Sequence, residues 1–292
     1  MRGVGESTAA ITIVNALPTG IGSAVGVDLH VRAEVELHPA GSHGRWEVEV
    51  PEAVRTPLVI AALTESLLRF APGSSGTGAL SLRSDIPPAR GLKSSSAVST
   101  AVVLAVAHAT ETDVPSLEVA RLSASVSRSI GLSATGALDD ALAGICSGVV
   151  VTDNRGGTLL AAYPTDPTLS VALYVPEGTH RPSAEWAAAF SAEASRGRAA
   201  ADAALEGDWA TAMRQNTELV ERVMHYDYRR LRADLRRRGA VASGVCGMGP
   251  SLAGVAPRSR IREVADSLPG PPDERRTVEF SNGPAPGGRS HA

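Results

Sequence analysis

Three adjacent hydroxyl side chains, Ser94, Ser95 and Ser96, stand where a loop containing proline and glycine meets an apolar segment. The three- and four-residue spacing of the apolar residues predicts a buried helix over 97–110. A helix start leaves backbone N–H groups unpaired and carries the positive end of the helix dipole, so it attracts phosphate. Gly91 would let the backbone approach a ligand closely. The segment therefore predicts either a phosphate-binding loop or an ordinary capped helix.

Two adjacent carboxylates, Asp139 and Asp140, follow the Thr135-Gly136 turn and open a predicted short helix. One interpretation is that they only complement the helix dipole, since acids are favoured in a first helical turn. The other is catalytic, because a carboxylate beside a polyphosphate can orient an acceptor hydroxyl or take its proton. The residue types alone allow both.

Two glycine-rich stretches flank these segments, at 18–24 and 243–251. Dense glycine allows backbone groups to approach a ligand, although a tight hairpin turn has the same composition. Near the first stretch, the polar residues Asn15, Ser23 and Asp28 are candidate binders of hydroxyl groups. Turn chemistry and exposed strand positions would also explain them.

The chain lacks the phosphate motifs of two large enzyme classes. No Gly-x4-Gly-Lys-Ser/Thr occurs, which excludes a P-loop enzyme, and Gly20-Ile21-Gly22 is followed by Val25 where a dinucleotide fingerprint needs a third glycine. The 292 residues carry a net charge of −3 and only 3% aromatic side chains, which argues against a nucleic-acid partner. We predict no membrane span, and the two cysteines, Cys146 and Cys246, suggest reduced thiols in the cytoplasm.

The elements that must position these residues are predicted from hydrophobic periodicity. A period-two pattern over 27–37 predicts a half-buried strand, and its repetition at 46–50 after a turn at 41–44 predicts a hairpin. Further strands are expected at 9–16, 79–84, 148–152, 170–175 and 276–280. Further helices are expected at 57–70, 116–129, 184–204, 208–223, 227–238 and 259–268, the strongly basic 227–238 being a solvated face. Strands followed by helices favour the α+β class.

The spelling Pro-x-x-x-Gly-Leu-x-Ser-Ser-x-Ala, starting at Pro87 or Pro88 and ending at Ala97, resembles the ATP-phosphate loop of the GHMP kinases. Lys93 and the third serine make it more similar to the archaeal-type shikimate kinases of that superfamily. The segment 134–141 resembles their catalytic segment, and 243–251 and 13–28 resemble two further motifs. All four occur in the family's order.

The resemblance implies a two-lobed GHMP kinase fold of the α+β class. Its N-terminal half (1–155) would be ribosomal S5 domain 2-like and carry the ATP-phosphate loop, and its C-terminal half (156–292) ferredoxin-like with a disordered tail after about 281. It implies a cytoplasmic enzyme of aromatic amino-acid biosynthesis, monomer or homodimer, that uses ATP and Mg²⁺ to convert shikimate to shikimate 3-phosphate. A kinase of another polyol (homoserine, mevalonate or a cyclitol) and a catalytically silent binding protein remain alternatives.

Carried over residue by residue, the resemblance implies catalytic roles for Asp139, with Asp140 as the alternate, and Lys93. The implied ATP-binding residues are Pro88, Ala89, Arg90, Gly91, Leu92, Lys93, Ser94, Ser95, Ser96 and Ala97, with Ser95 also on the metal. The implied substrate-binding residues are Asn15, Gly22, Ser23, Ala24, Asp28, Thr135, Gly247 and Gly249. Arg90, Arg181 and Lys93 are candidate partners of the substrate carboxylate.

The chain departs from the family pattern at two places. Many relatives have a metal-binding glutamate before the catalytic aspartate, whereas this chain reads Ser-Arg-Ser-Ile over 127–130. The metal would then be held by Ser95 and phosphates alone, or with help from Asp139 or Asp140. In the glycine-rich segment, Cys246 and Met248 replace hydroxyl residues, so its backbone role is expected to persist without those side-chain contacts.

Overall fold

A 21-residue strand organises the first of two β-sheets in the computed structural model, which describes residues 1–41, 44–177 and 184–286. The strands of this sheet are β1 (Arg2–Val14), β2 (Ile21–Gly41), β3 (Trp46–Glu49), β4 (Ser75–Ser84), β5 (Val149–Asp153) and β6 (Thr158–Tyr163). Their order is β3-β4-β2-β5-β6, with β1 antiparallel to β2. The predicted strand at 27–37 is confirmed: its odd-numbered residues are buried and its even-numbered ones mostly exposed, as a period-two pattern requires.

The predicted hairpin between 27–37 and 46–50 is wrong. Strand β3 does not pair with β2 but lies parallel to β4, with Trp46 opposite Gly76 and Glu49 opposite Ala79. Strand β4 occupies the side of β2 that the hairpin would have used, pairing from Val31 to Gly41. Part of the predicted turn, residues 42–43, lies outside the described residues. Periodicity identifies a strand and its buried face, but pairing depends on which strand returns to that edge.

Four helices accompany the first sheet: α1 (Pro57–Phe70), α2 (Ser94–Ala109), α3 (Ser116–Ser129) and α4 (Leu138–Ala143). The bounds predicted for α1 and α3 are confirmed. Helix α1 begins where the Thr56 hydroxyl accepts a hydrogen bond from the Val59 amide at 3.3 Å, with proline at the first helical position. Helix α2 starts three residues earlier than predicted, so all three serines belong to its first turn. It packs against β1 and β2 and is almost entirely buried.

The second sheet has the order β10-β7-β9-β8 and is antiparallel. Its strands are β7 (Leu169–Tyr174), β8 (Ala242–Val245), β9 (Leu252–Pro257) and β10 (Arg275–Val278). Its helices are α5 (Ala184–Ala192), α6 (Ala194–Leu205), α7 (Trp209–Met224), α8 (Arg229–Arg237) and α9 (Ile261–Asp266), and short 3-10 helices occupy Glu52–Val54 and Pro272–Glu274. The single helix predicted at 184–204 is two helices, and β6, β8 and β9 were not predicted as strands.

The two halves contact each other through helices α6 and α7, which pack on β1, and through β10, which contacts β2. The first sheet extends through β6, after residue 155, and the second begins with β7. Ser281 donates its amide to the Gly26 carbonyl at 3.0 Å, and residues 287–292 of the predicted tail lie outside the described residues. None of the helices within the described ranges combines the length and apolar character that a bilayer span requires.

Candidate active site

The loop before α2 has a backbone suited to anions. Ala89, Gly91 and Lys93 have φ angles of 55°, 86° and 64°, so left-handed residues alternate with ordinary ones up to the helix start. Such alternation is the backbone pattern of an anion-binding nest, in which successive N–H groups face one concave side. Alanine and lysine are uncommon in this conformation, so the surrounding packing must hold the loop in place. The loop and the first turn of α2 together form one donor-rich surface.

The glycine-rich segment 243–251 packs directly on this loop. A Cβ atom at Gly91 would lie 2.2 Å from the Cys246 carbonyl oxygen, which leaves no room for any side chain. The Ser251 amide also donates to the Arg90 carbonyl at 3.4 Å. The structure therefore brings the first and third predicted binding segments into backbone contact, although they are about 150 positions apart in the chain.

The predicted ATP-binding residues divide into anchors and exposed donors. Leu92 and Ala97 are buried in the core, and the Leu92 carbonyl accepts the Ala10 amide at 3.4 Å. In the first turn of α2, Ser96 is buried, Ser94 is half-buried and Ser95 is exposed. Pro88 and Ala89 are exposed as well. Ser95 therefore presents its hydroxyl outward at the start of a 16-residue helix.

Lys93 links the loop to the predicted catalytic helix. Its Nζ atom lies 2.9 Å from Oδ1 and 3.1 Å from Oδ2 of Asp140, and the two side chains are only 14% and 10% exposed. Burial of the ammonium opposes its charge, but Asp140 and then Asp139 more than offset this, so the pKa of Lys93 is raised above its ordinary value. Lys93 is therefore a buried cation held between the phosphate loop and α4.

Asp139 lies beside this ion pair in a different environment. It is 3% exposed, and its Oδ1 accepts a hydrogen bond from Nδ2 of Asn154 at 2.8 Å. Desolvation by burial and then repulsion from Asp140 raise the pKa of Asp139 to about 7, against the opposing effects of Lys93 and Asn154. A Cβ at Gly22 would lie 2.5 Å from Oδ2 of Asp139. Gly22, a predicted substrate-binding residue, therefore allows the Asp139 carboxyl to lie close to the backbone of β2. Asp139 is thus a carboxyl poised near neutral pH.

A cavity of about 160 Å³ opens onto these groups. The first half contributes Asn15, Thr135 and the two aspartates, and the second half contributes Trp186, Gly247 and Met248. The complete lining is Asn15, Ala16, Leu17, Lys93, Leu132, Ser133, Ala134, Thr135, Ala137, Asp139, Asp140, Asn154, Trp186, Ala187, Gly247 and Met248. It combines one cation and two acids with polar groups and an apolar wall, which suits a small polar molecule with a carbon ring or chain.

Several predicted residues are not brought to this cavity. Asp28 is exposed, and its carboxylate accepts the Glu279 amide at 2.7 Å. Ser23 and Ala24 are fully buried in β2, where Ala24 packs in the core beside α4. Gly249 is covered by the Tyr226 ring, which a Cβ would meet at 2.6 Å. Arg90 donates to the Pro176 carbonyl. Arg181, the other candidate for the substrate carboxylate, lies outside the described residues.

Sequence reasoning missed Asn154 and Trp186. Asn154 is fully buried at the end of β5 and joins Asp139 to Thr135 and Thr152. The sequence feature that could have indicated Asn154 is the polar run Thr152-Asp153-Asn154, which directly follows three valines. Trp186 lies in α5, where one of only three tryptophans in the chain was treated as ordinary helix. Neither could be placed at the cavity without the tertiary contacts.

Arg128 lies in the turn 127–130, where the family pattern led us to expect an acid and none is present. Its Nη1 donates to the carbonyls of Thr135 and Asn154 at 3.3 and 3.4 Å. A Cβ at Gly136 would lie 2.4 Å from the same nitrogen. Arg128 therefore braces the loop before α4.

The donor set suits a metal ion held mainly by phosphate. Within the described ranges, no group of three or more histidine, cysteine, aspartate or glutamate side chains could hold a metal ion. Ser95, with its exposed hydroxyl beside the nest, is the residue that would complete the coordination of a magnesium–nucleotide complex. Magnesium usually keeps several waters and needs few protein ligands in phosphate sites, so this sparse set fits it.

Comparison with known proteins identifies the family of the chain. Residues 58–148 match the family model described as the GHMP kinases N terminal domain. The chain is 33% identical to the shikimate kinase of Pyrococcus furiosus, covering 90% of this chain and 95% of that one. It is also 33% identical to the shikimate kinase of Methanosarcina mazei, covering 92% and 90%.

The fold agrees with a solved structure as well. The mevalonate kinase of Methanococcus jannaschii superposes with a TM-score of 0.70 at 14% identity, covering 97% of this chain and 99% of that one. At that identity the likeness concerns the fold alone. The similarity to these curated shikimate kinases extends over nine-tenths of the chain. The chain belongs to the GHMP kinase family, in which it is similar to the archaeal shikimate kinases.

Proposed function

We propose that this protein is an ATP-dependent shikimate kinase. The acceptor 3-hydroxyl oxygen forms a bond to the γ-phosphorus of ATP, the bond from that phosphorus to the β–γ bridging oxygen breaks, and the products are shikimate 3-phosphate and ADP. The observation that best supports phosphoryl transfer is the position of Lys93 at the end of the proposed phosphate loop. Its Nζ atom lies 2.9 Å from Oδ1 of Asp140, and Lys93, Asp139 and Asp140 line one cavity. The similarity to archaeal shikimate kinases over nine-tenths of the chain supports the acceptor.

The phosphate side of the reaction rests on backbone groups. The nest at residues 89–93 and the first turn of α2 would hold the ATP phosphates, because both present unpaired N–H groups to an anion. Ser95 would ligate a magnesium ion, and bound magnesium supplies neutralisation of phosphate charge during transfer. Gly91 keeps the loop close to the 243–251 segment, so the nest is preorganised.

The acceptor side of the reaction rests on Asp139. The hydroxyl proton leaves as the new O–P bond forms, and Asp139 is the carboxyl that would take it, since its pKa of about 7 suits a base at neutral pH. Asp140 is engaged with Lys93 and holds that cation near the phosphates. Adjacent acids on α4 therefore take two roles because only one of them is paired with a cation.

The acceptor itself would lie between the two halves. Asn15 and Thr135 offer side-chain hydrogen bonds, and Gly247 offers a backbone approach. Trp186, Leu17 and Leu132 form an apolar wall against which a carbocyclic ring can pack. This mixture supports a ring bearing several hydroxyl groups.

A coupled assay of ADP release tests the proposal. Purified protein with ATP and magnesium is offered shikimate, homoserine, mevalonate and a cyclitol in parallel, and the product is identified by mass. We expect turnover with shikimate to exceed turnover with each other acceptor at least 100-fold. Turnover with homoserine but not shikimate would reassign the substrate, and no turnover with any acceptor would favour a silent binding protein.

A further inference from the structure

The side chain of Asn154 makes four hydrogen bonds beside the Asp139 carboxyl, with Asp139, Thr152 and Thr135. We propose that Asn154 is a positioning residue that orients the Asp139 carboxyl toward the acceptor hydroxyl. This inference rests on the proposed function, because it assigns Asn154 a role in the same transfer. The hydrogen bonds of Asn154 use both ends of its side chain.

The orientation of the Asn154 amide is determined by its partners. The backbone N–H of Asp139 can only donate, and it lies 3.3 Å from Oδ1. The Thr152 hydroxyl also donates to Oδ1, at 2.6 Å. Because Oδ1 is the acceptor for both, the NH₂ group must face the other way, where it lies 2.8 Å from Asp139 Oδ1. A flipped amide would place its NH₂ group against the Asp139 N–H, and two donors cannot bond each other.

The backbone of Asn154 is held as firmly as its side chain. Its amide donates to the Gly20 carbonyl at 2.9 Å, and its carbonyl accepts from Arg128 at 3.4 Å. One residue thus connects the start of β2, the end of α3 and the start of α4. Asn154 is also fully buried, so water does not compete for these bonds.

The consequence concerns Asp139. A carboxyl on the first turn of a six-residue helix can adopt more than one rotamer unless a donor fixes one oxygen. Asn154 donates a hydrogen bond to Oδ1 of Asp139. Oδ2 of Asp139 lies close to the Gly22 backbone, which limits the directions in which the carboxyl can turn. Loss of the Asn154 donor would let the carboxyl turn toward Lys93, whose charge attracts it. Misplacement of this kind would lower kcat more than it weakens nucleotide binding, for which we propose the nest at residues 89–93 and the first turn of α2.

The sharpest test is Asn154→Asp, which keeps size and shape but replaces the NH₂ donor by a carboxylate oxygen. At pH 8.5 we expect kcat with shikimate to fall on the order of 10- to 100-fold, because the new carboxyl either repels the Asp139 carboxylate or holds a proton against it, and both prevent Asp139 from acting as the base. The KM for ATP should stay within about threefold. Full activity in this variant, or equal loss in kcat and in ATP affinity, would overturn the proposal.

A milder variant covers the case in which Asn154→Asp fails to fold. Thr152→Val removes only the hydroxyl that holds Oδ1 of Asn154, and we expect kcat to fall about threefold to tenfold. The matched control is Thr100→Val. Thr100 is likewise fully buried and bonds Ser123 at 3.1 Å between α2 and α3, away from the cavity. Equal effects of the two threonine variants on kcat would contradict a positioning role.

A second readout needs no acceptor and so separates this inference from the proposed function. The chain has four asparagines, Asn15, Asn154, Asn216 and Asn282, so protein labelled with ¹⁵N-asparagine gives four side-chain amide signals. The signal lost in Asn154→Asp identifies Asn154. We expect that signal to move more than the other three in Asp139→Ala, and an unmoved signal would refute the contact. Absent shikimate turnover in the wild type would count against the proposed function alone.

Discussion

Asp139 and Asp140 are neighbours in the chain with the same side chain, yet the structure gives them different surroundings. Asp140 faces the Lys93 ammonium at 2.9 Å, and Asp139 receives an amide donor from Asn154. An ion-paired carboxylate is a poor proton acceptor because its charge is already stabilised. The sequence left open which of the two is the base, and these contacts favour Asp139.

The first prediction concerns the pH dependence of turnover. A base must be ionised to accept a proton, and the pKa of Asp139 is raised to about 7 by burial and by Asp140. We therefore expect kcat/KM for shikimate to rise with pH through about 7 and then level off. Asp139→Asn should lower kcat about 100-fold or more while nucleotide binding, measured by calorimetry, changes little. An acidic limb near pH 4 would contradict the assignment.

The second prediction concerns stability, because a functional carboxyl kept in an unfavourable environment destabilises the fold. Its pKa is about 7 in the folded state and 3.8 in the ordinary reference, so between these values the folded protein binds more protons than the unfolded chain. The contribution of Asp139 to the free energy of unfolding is present at low pH and is lost as pH rises through about 7. Above pH 7, Asp139→Asn should therefore be more stable than the wild type.

The measurement is chemical denaturation at pH 5 and pH 8.5. The free energy of unfolding of Asp139→Asn, minus that of the wild type, should increase by about 1 to 3 kcal/mol from pH 5 to pH 8.5. Asp202→Asn, at an exposed position on α6, is the control and should show no such change. A gap that stays constant would mean that Asp139 does not titrate in this range.

At the scale of elements, the phosphate loop and α2 act as one unit with the glycine-rich segment. The loop reaches its nest conformation because Leu92 anchors one side in the core and Gly91 touches the Cys246 carbonyl on the other. Helix α2 is fixed to β1 and β2 by burial of nearly all its faces. The unpaired N–H groups at its start are therefore held rigidly, which is what electrostatic stabilisation of a phosphate requires.

The third prediction tests this unit with a pair of glycine variants. Gly91 and Gly73 both have left-handed φ angles, 86° and 74°, but only Gly91 faces a backbone oxygen, whereas nothing lies within 4 Å of a Cβ at Gly73. Both changes to alanine carry a similar backbone cost. Gly91→Ala should additionally raise the KM for ATP about tenfold or more, because the loop must move away from the 243–251 segment. Equal ATP KM values in the two variants would contradict the coupling.

At the scale of the whole molecule, the site exists only because two halves meet. The Thr12 hydroxyl of β1 accepts the Gly247 amide at 2.7 Å, and the Asn15 amide donates to Asn216 of α7 at 2.8 Å. Both bonds are buried, so their loss leaves a polar group without water. They align the phosphate-binding half with the half that supplies Gly247 and Trp186.

The fourth prediction uses the same chemical change at two buried threonines. Thr12→Val and Thr100→Val should each lower the free energy of unfolding by about 1 to 3 kcal/mol, because each removes a buried hydroxyl partner. Only Thr12→Val should also raise the KM for shikimate, by about threefold to tenfold, since Gly247 lines the cavity. Kinetic parameters that are unchanged in Thr12→Val would show that the alignment of the halves does not depend on this bond.

Much of the secondary structure and the location of the phosphate loop could be predicted from local patterns. Helices α1 and α3 and the strand at 27–37 were identified because each has a repeat that matches its own geometry. The partner of β3 was not, because pairing is decided by strands that are distant in sequence. The polar residues Asn15 and Asp28 looked alike as candidates, yet Asn15 lines the cavity and Asp28 binds the Glu279 amide at an exposed edge.

The chain by itself determined its family and pointed to a candidate phosphate loop and a pair of acids, because those depend on short sequence motifs whose chemistry is local. Tertiary structure alone decided which acid is paired with Lys93, that Asn154 holds the other one, and that Arg128 donates to the Asn154 carbonyl. These contacts join residues that are 15, 26 and 47 positions apart in the chain. Hydrogen bonds and charge pairs act over a few ångströms, and only the packed fold specifies which groups come that close.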